Sequence, residues 1–203
     1  MHRYLRIAAL VLQYYQTPDA LEATFGHELT PEQWDLISSI KDRYNQVLFE
    51  SDAIAAHLAH PLLETIANEL DEQGRIFSFL CGHDSNIATV IRSLHAEPYT
   101  LPDAIEHEVP IASKLVFERY LDAKGDAYVR LRLVYPTIEN LRSFPAPLEG
   151  ADCGSVALTL EGIEADENGL MDYDELRDRL QEAIDSFDTM VETYQDDTLK
   201  EAA

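Results

Sequence analysis

"FSFLCGHDSNIATV", residues 77–90, carries an apolar run directly into a helix and places two titratable side chains at the junction. The stretch from Ile76 to Gly82 is apolar apart from Ser78, as expected for a strand covered on both faces. "IATVIRSL" then repeats at helical spacing. His83 and Asp84 therefore fall where a strand ends and a helix begins, the place where open α/β sheets bind ligands. A helix N-terminus offers unpaired backbone N–H groups and the positive end of the dipole, which together favour phosphate. There a histidine can donate a hydrogen bond to a phosphoryl group. An aspartic acid beside it can protonate a departing alkoxide. Ser85 and Asn86 supply capping or further contacts. The plainer alternative is that Asp84 or Ser85 only caps the helix, with His83 a satisfied boundary residue.

The rest of the chain narrows the classes. Its 203 residues, 46% of them apolar, are enough to bury a core in one or two domains. No stretch of about 18 apolar residues is present, so no helix is expected to span a membrane. "MHRYLRIAALVLQYY" imitates a signal peptide, but its apolar run from Ile7 to Leu12 is short and no small-residue cleavage site follows. An amphipathic helix is the better reading. Fifteen basic residues face 38 acidic ones, a net charge of −23. Such a surface repels nucleic acid and anionic membranes, so neither is expected as a partner. Any anion site must be built locally. Cys81 and Cys153 are too few for a disulfide framework, and Cys81 reads as a buried free thiol in the strand.

Two parts are expected along the chain. Residues 1–50 read as helical, with Thr30 as N-cap, Pro31 at the first helical position and Gln33 completing a capping box. "SDAIAAHLAHPLLETIANEL" continues as helix, bent or restarted at Pro61 and ended by Gly74. After residues 76–82, "KLVFERYLD" and "AYVRLRLVY" alternate around "AKGD" as a hairpin. "SVALTLEGI" is a further short strand and "DYDELRDRLQEAIDSFDTMVETY" a long helix. "QDDTLKEAA" reads as a frayed tail.

At these residues the chain resembles a known family. "GHDSN" after an apolar strand is similar to the second signature of the histidine acid phosphatases, the group containing bacterial glucose-1-phosphatases and phytases. "LQYY" at 12–15, "QW" at 33–34, "LFESDAIAAHLAHPL" at 48–62, "KLVFERY" at 114–120 and "LTLEGIEADENG" at 158–169 resemble the glucose-1-phosphatase branch in the same order. The resemblance implies a phosphomonoesterase that works through a phosphohistidine, with no metal and no organic cofactor. It implies His83 as phosphate contact and Asp84 as proton donor to the leaving group. More weakly, it places Gln16 near the substrate pocket. The fold implied is α/β: the C-terminal part of a histidine-phosphatase α/β sandwich plus part of the helical cap domain. Residues 1–50 would belong to the cap and 51–203 to the α/β domain. The substrate implied is a phosphorylated small molecule, a sugar phosphate or an inositol phosphate.

The departures from the family are as informative. No R-H-G-x-R-x-P, the motif carrying the nucleophilic histidine and its first arginines, occurs in the sequence. The chain is therefore expected to be the C-terminal portion of such an enzyme, inactive alone, with a sheet edge left for a missing N-terminal half or a second copy. A truncated gene, one half of a split gene and a fragment all fit. The loop near Ile163 to Leu170 lacks the cysteine pair the resemblance implies. The family is mostly periplasmic or secreted, but the compartment is not legible here.

A rival reading is non-catalytic: an interaction module, or a calcium-binding module, derived from a phosphatase. Glu164, Asp166, Asn168, Gly169, Asp172 and Glu175 occupy positions 1, 3, 5, 6, 9 and 12 of an EF-hand loop. Position 1 is Glu where Asp is expected, and a strand precedes the loop. His57 and His60, three apart on a helix, have no further ligand nearby in sequence and read as a surface face. Calcium titration followed by calorimetry should show no saturable response, and a micromolar dissociation constant would promote the binding module.

Overall fold

The computed structural model describes residues 2–17, 19–49, 51–143 and 153–201, with only the backbone described for 2–8 and 194–201. In chain order the elements are α1 (His2–Gln16), α2 (Ala20–Ala23), α3 (Pro31–Phe49), α4 (Asp52–Asp71), α5 (Asp84–Ser93), β1 (Lys114–Leu121), β2 (Ala127–Tyr135), α6 (Ile138–Arg142), β3 (Gly154–Leu158), β4 (Leu170–Asp172) and α7 (Tyr173–Glu201). Helix α3 begins as its capping box dictates. The Gln33 side chain accepts from the Thr30 N–H at 2.9 Å, and the Thr30 hydroxyl accepts from the Gln33 N–H at 3.3 Å.

β2 organises the sheet. β1 lies antiparallel along one edge of it, while β3 and β4 share the other edge, both antiparallel. Alternation along β2 sends Val129, Leu131, Leu133 and Tyr135 into the core. On that face they meet Leu63 of α4, Val90 and Leu94 of α5, and Leu176 and Leu180 of α7. The opposite face carries Arg130 and Arg132, both bonded to Glu118 of β1 at 2.8–2.9 Å. Burial pushes the Glu118 carboxyl up, but Arg132 and Arg130 outweigh it and hold it below its ordinary range. Gly154 is required where β3 meets β2, because a Cβ there would stand 2.4 Å from the Tyr135 ring.

Several expectations need correction. Residues 75–83 form neither helix nor strand: among the described residues no strand pairs with them, and the sheet holds no parallel pair. Ile76 is 99% exposed, Phe77 78% and Phe79 68%, so the run is bare on both faces instead of covered. The neighbours that would make it a strand are not in the described residues. Cys81 is consequently exposed, as is Cys153, and both are free. Pro61 does not interrupt α4: the helix runs through it, and the Pro61 carbonyl accepts from the Thr65 hydroxyl at 2.8 Å. Helix α7 continues to Glu201, through most of the expected tail.

Leu131 is fully buried at the centre of this arrangement. Leu131→Ala should cost about 3 kcal/mol of unfolding free energy through lost burial and a residual cavity. Urea denaturation monitored by circular dichroism checks this, and a loss under about 1 kcal/mol would show that the core closes over the gap.

Candidate active site

The junction is built by a cap. His83 is the N-cap of α5, with extended backbone, and Asp84 is the first helical residue. The Asn86 side chain reaches back to accept from the His83 N–H at 2.8 Å. Gly82 permits that approach, since a Cβ on it would lie 2.9 Å from Asn86 Oδ1. Glycine and asparagine in "GHDSN" thus hold the turn, and His83 and Asp84 are the pair they present. Both are exposed, with the Asp84 side chain at 48%. Asp84 Oδ1 accepts from the Ser85 N–H at 2.8 Å, which fixes the carboxyl rotation and turns Oδ2 towards Lys41, whose Nζ is 3.8 Å away.

Lys41 comes from α3 and links the junction to a buried polar cluster. Its ammonium pairs with Glu106, a carboxylate only 3% exposed. The other oxygen of Glu106 accepts from the Ile111 N–H at 3.0 Å. Tyr15 of α1 lies against the same carboxylate. Burial first, then the charge of Glu106, push its phenol well above the ordinary tyrosine range. Beside this pair stands a second one of opposite sense, Asp42 with His107 at 2.6 Å. Burial raises the Asp42 carboxyl, and the lowering exerted by His107 does not overcome it.

The sequence-selected residues are thus only partly brought together. His83, Asp84, Ser85 and Asn86 form one surface, with the Asn86 oxygen engaged in the cap. Gln16 is exposed at the end of α1, and among the described residues no hydrogen bond or ion pair joins it to 83–86. Its neighbour Tyr15 makes the contact with the cluster instead. Sequence reasoning missed Lys41, Glu106 and His107. Lys41 adjoins the inner face of α3, where Ser38, Asp42 and Asn45 share the buried side with Trp34.

The residues of the calcium and zinc candidates make contacts within the chain. Asp166 Oδ1 accepts from the N–H groups of Asn168 and Leu170, both at 2.8 Å. Asp172 Oδ1 accepts from Asp174 and Glu175 at 2.8 and 3.2 Å, capping α7. His57 and His60 pack on the Phe187 ring at 5.8 and 4.3 Å. Among the described residues no group of three or more His, Cys, Asp or Glu is placed to hold a metal, and no helix is long and apolar enough to cross a membrane.

Helices packed over an antiparallel sheet, with His and Asp offered at the start of α5, define a fold shared with solved phytases. The phytase of Citrobacter braakii superposes with a TM-score of 0.74 at 23% identity, over 87% of this chain and 47% of that one. The Hafnia alvei phytase does so with a TM-score of 0.74 at 25% identity, over 89% and 46%. The model of the histidine phosphatase superfamily (branch 2) matches residues 11–134. The chain belongs to that family. It is similar to the glucose-1-phosphatase of Providencia rettgeri, 32% identical over 185 residues, spanning 88% of this chain and 44% of the relative. A second glucose-1-phosphatase, from Salmonella typhimurium, is 32% identical over 173 residues, spanning 83% and 41%. The chain therefore spans less than half the length of the curated relatives it matches.

Asn86→Ala removes the acceptor that caps the His83 N–H. It should cost about 1 kcal/mol and speed amide exchange at residues 83–86 while leaving the sheet unaffected. Hydrogen exchange by NMR reads both, and unchanged protection at 83–86 would show that the cap is idle.

Proposed function

We propose that this chain supplies the proton-donor part of a phosphomonoester hydrolase of the glucose-1-phosphatase and phytase kind. Asp84 is the general acid and His83 the phosphate contact. The observation that carries the reading is the exposed His83–Asp84 pair at the start of α5, with Oδ1 of Asp84 tied to the Ser85 N–H and Oδ2 facing Lys41 at 3.8 Å. In the step we assign, the P–O bond of the ester breaks and its electron pair passes to the leaving oxygen. The Asp84 O–H proton goes to that oxygen, leaving a carboxylate. The phosphoryl group passes to a histidine of the complementary portion carrying R-H-G-x-R-x-P, in the same polypeptide or another. The helix N-terminus and His83 favour the phosphate in a chain whose overall charge opposes it.

The same reading accounts for the bare apolar run. A segment exposing Ile76, Phe77, Phe79 and Leu80 lies immediately before the pair. We assign it as the strand on which the complementary portion pairs, which would cover the run and bring the nucleophile to Asp84. A Hafnia alvei phytase has been solved with myo-inositol hexakis sulphate. A phosphorylated polyol or sugar is accordingly the substrate class we assign, with the residues that choose between them expected largely outside this chain.

Alone, the purified chain should release no product from p-nitrophenyl phosphate at pH 4–6 above buffer, since a missing nucleophile costs many powers of ten in rate. Adding the complementary portion should restore turnover. Asp84→Asn should then lower it by about a hundredfold for poor leaving groups and far less for p-nitrophenol. Robust turnover by the chain alone would show the nucleophile to be misplaced.

A further inference from the structure

Two consecutive residues of α3, Lys41 and Asp42, meet two consecutive residues of the 95–113 loop, Glu106 and His107, as crossed pairs of opposite sense. His107 does more than close one of them. Its Nδ1 is 2.6 Å from Asp42 Oδ2 and its Nε2 is 2.9 Å from Asp35 Oδ1. Asp35 and Asp42 lie seven positions apart, two turns of the same helix face. A neutral imidazole has one N–H and can donate to only one of these carboxylates. The imidazolium donates to both. Two carboxylates, one at each ring nitrogen, favour the charged ring.

We propose that His107 is a pH-sensitive positioning residue: charged, it latches the 95–113 loop to α3 and so holds Lys41 between Glu106 and Asp84; neutral, it releases that latch. The functional meaning rests on Asp84 being the general acid, whereas the latch itself does not.

The charged surroundings agree on the direction. From α3 the ring faces Asp35 and Asp42, with Lys41 next in sequence. From its own loop it has Glu106 and Glu108, the latter acting on Asp42. From α1, Tyr14 lines the same cavity, and from α5, Asp84 lies beyond Lys41. Burial pulls the His107 titration down, but hydrogen bonds and charge from Asp42 and Asp35 outweigh it, and the ring titrates above its ordinary value. A histidine raised on folding contributes stability that is complete below its unfolded value, about 6.5, and is lost as pH rises through the folded value. Asp42 ionises less readily in the fold, so its own contribution is lost as pH rises through the carboxylate range, before that of the ring. The latch is thus closed below the ordinary histidine range and opens as pH rises through the ring's raised value. Glu118, held low by its arginines, works the opposite way and lies in the sheet, outside the latch.

The test uses the whole chain and needs no turnover. Hydrogen exchange, corrected for the intrinsic pH effect, should show opening of α3 and residues 101–113 rising about tenfold between pH 5.5 and 8. β1 and β2 should not follow. His107→Gln should flatten this response, while His57→Gln should leave it intact. Asp35→Asn, which spares the buried pair, should reduce it and keeps the test decisive if His107→Gln does not fold. The NMR titration of the His107 ring should lie above that of a free histidine. A parent chain with no pH response, a response retained in His107→Gln and in Asp35→Asn, or a ring titrating at or below the free value would each overturn the latch. Failure of Asp84→Asn to act on leaving groups would overturn the general-acid reading and leave the latch standing.

Discussion

Glu106 is a carboxylate almost wholly removed from water, and an unpaired charge there would be prohibitively costly. Its requirement for a cation fixes Lys41, and Lys41 fixes the relation of α3 to α5. The Ile111 N–H and the Tyr15 side chain complete the surroundings, so three helices and one loop meet at this charge. Replacing one partner alone would strand the other in the interior, which makes the pair a strong determinant of where α3 sits whatever its net worth. The helix carrying Asp84 is thereby registered against the helix carrying Asp42, and Asp84, Lys41, Glu106, Asp42 and His107 form one charge network.

The elements whose signals are local were legible in the sequence. Thr30, Pro31 and Gln33 mark the start of α3 because a capping box is satisfied within four residues. The β1–β2 hairpin follows from alternation around "AKGD", and the ladder runs from Lys114 opposite Val134 to Leu121 opposite Ala127. "GHDSN" announced a helix start, and His83 and Asp84 are exposed at that point. The role of Asn86 was half-read: its type fitted a cap or a substrate contact, and only the 2.8 Å bond to the His83 N–H shows that the cap takes it. Lys41, Glu106 and His107 were illegible for a physical reason. They are partners 65 residues apart, and charge pairing between α3 and an irregular loop leaves no periodicity to detect.

The apolar run before His83 failed for the opposite reason. Composition states that a segment prefers burial, but covering it requires neighbours that composition does not supply. Relatives more than twice as long as the matched portion locate the discrepancy. A segment such as Ile76–Leu80, bare on both faces, is costly to expose and prone to pair with whatever strand is offered. That argues for an occupied state in which the run lies inside a sheet. The Gly82–Asn86 cap would let such a run end abruptly, because it turns the chain into α5 within one residue of the strand's end.

Helix α3 makes the same point in helical form. It buries Ser38, Asp42 and Asn45 beside Trp34, while Leu36, Ile40 and Val47 remain exposed. An amphipathic helix in a self-contained domain would reverse this. The inversion is intelligible if the inner face is chosen by the charges at Glu106, His107 and Asp84, each of which needs a polar partner, and not by the need to bury area. Around Asp84 the chain is polar inside and apolar outside, on α3 and on the 76–80 run alike. A surface arranged in that way gains little from closing on itself, and its exposed apolar faces are what the proposed pairing with a complementary portion would cover.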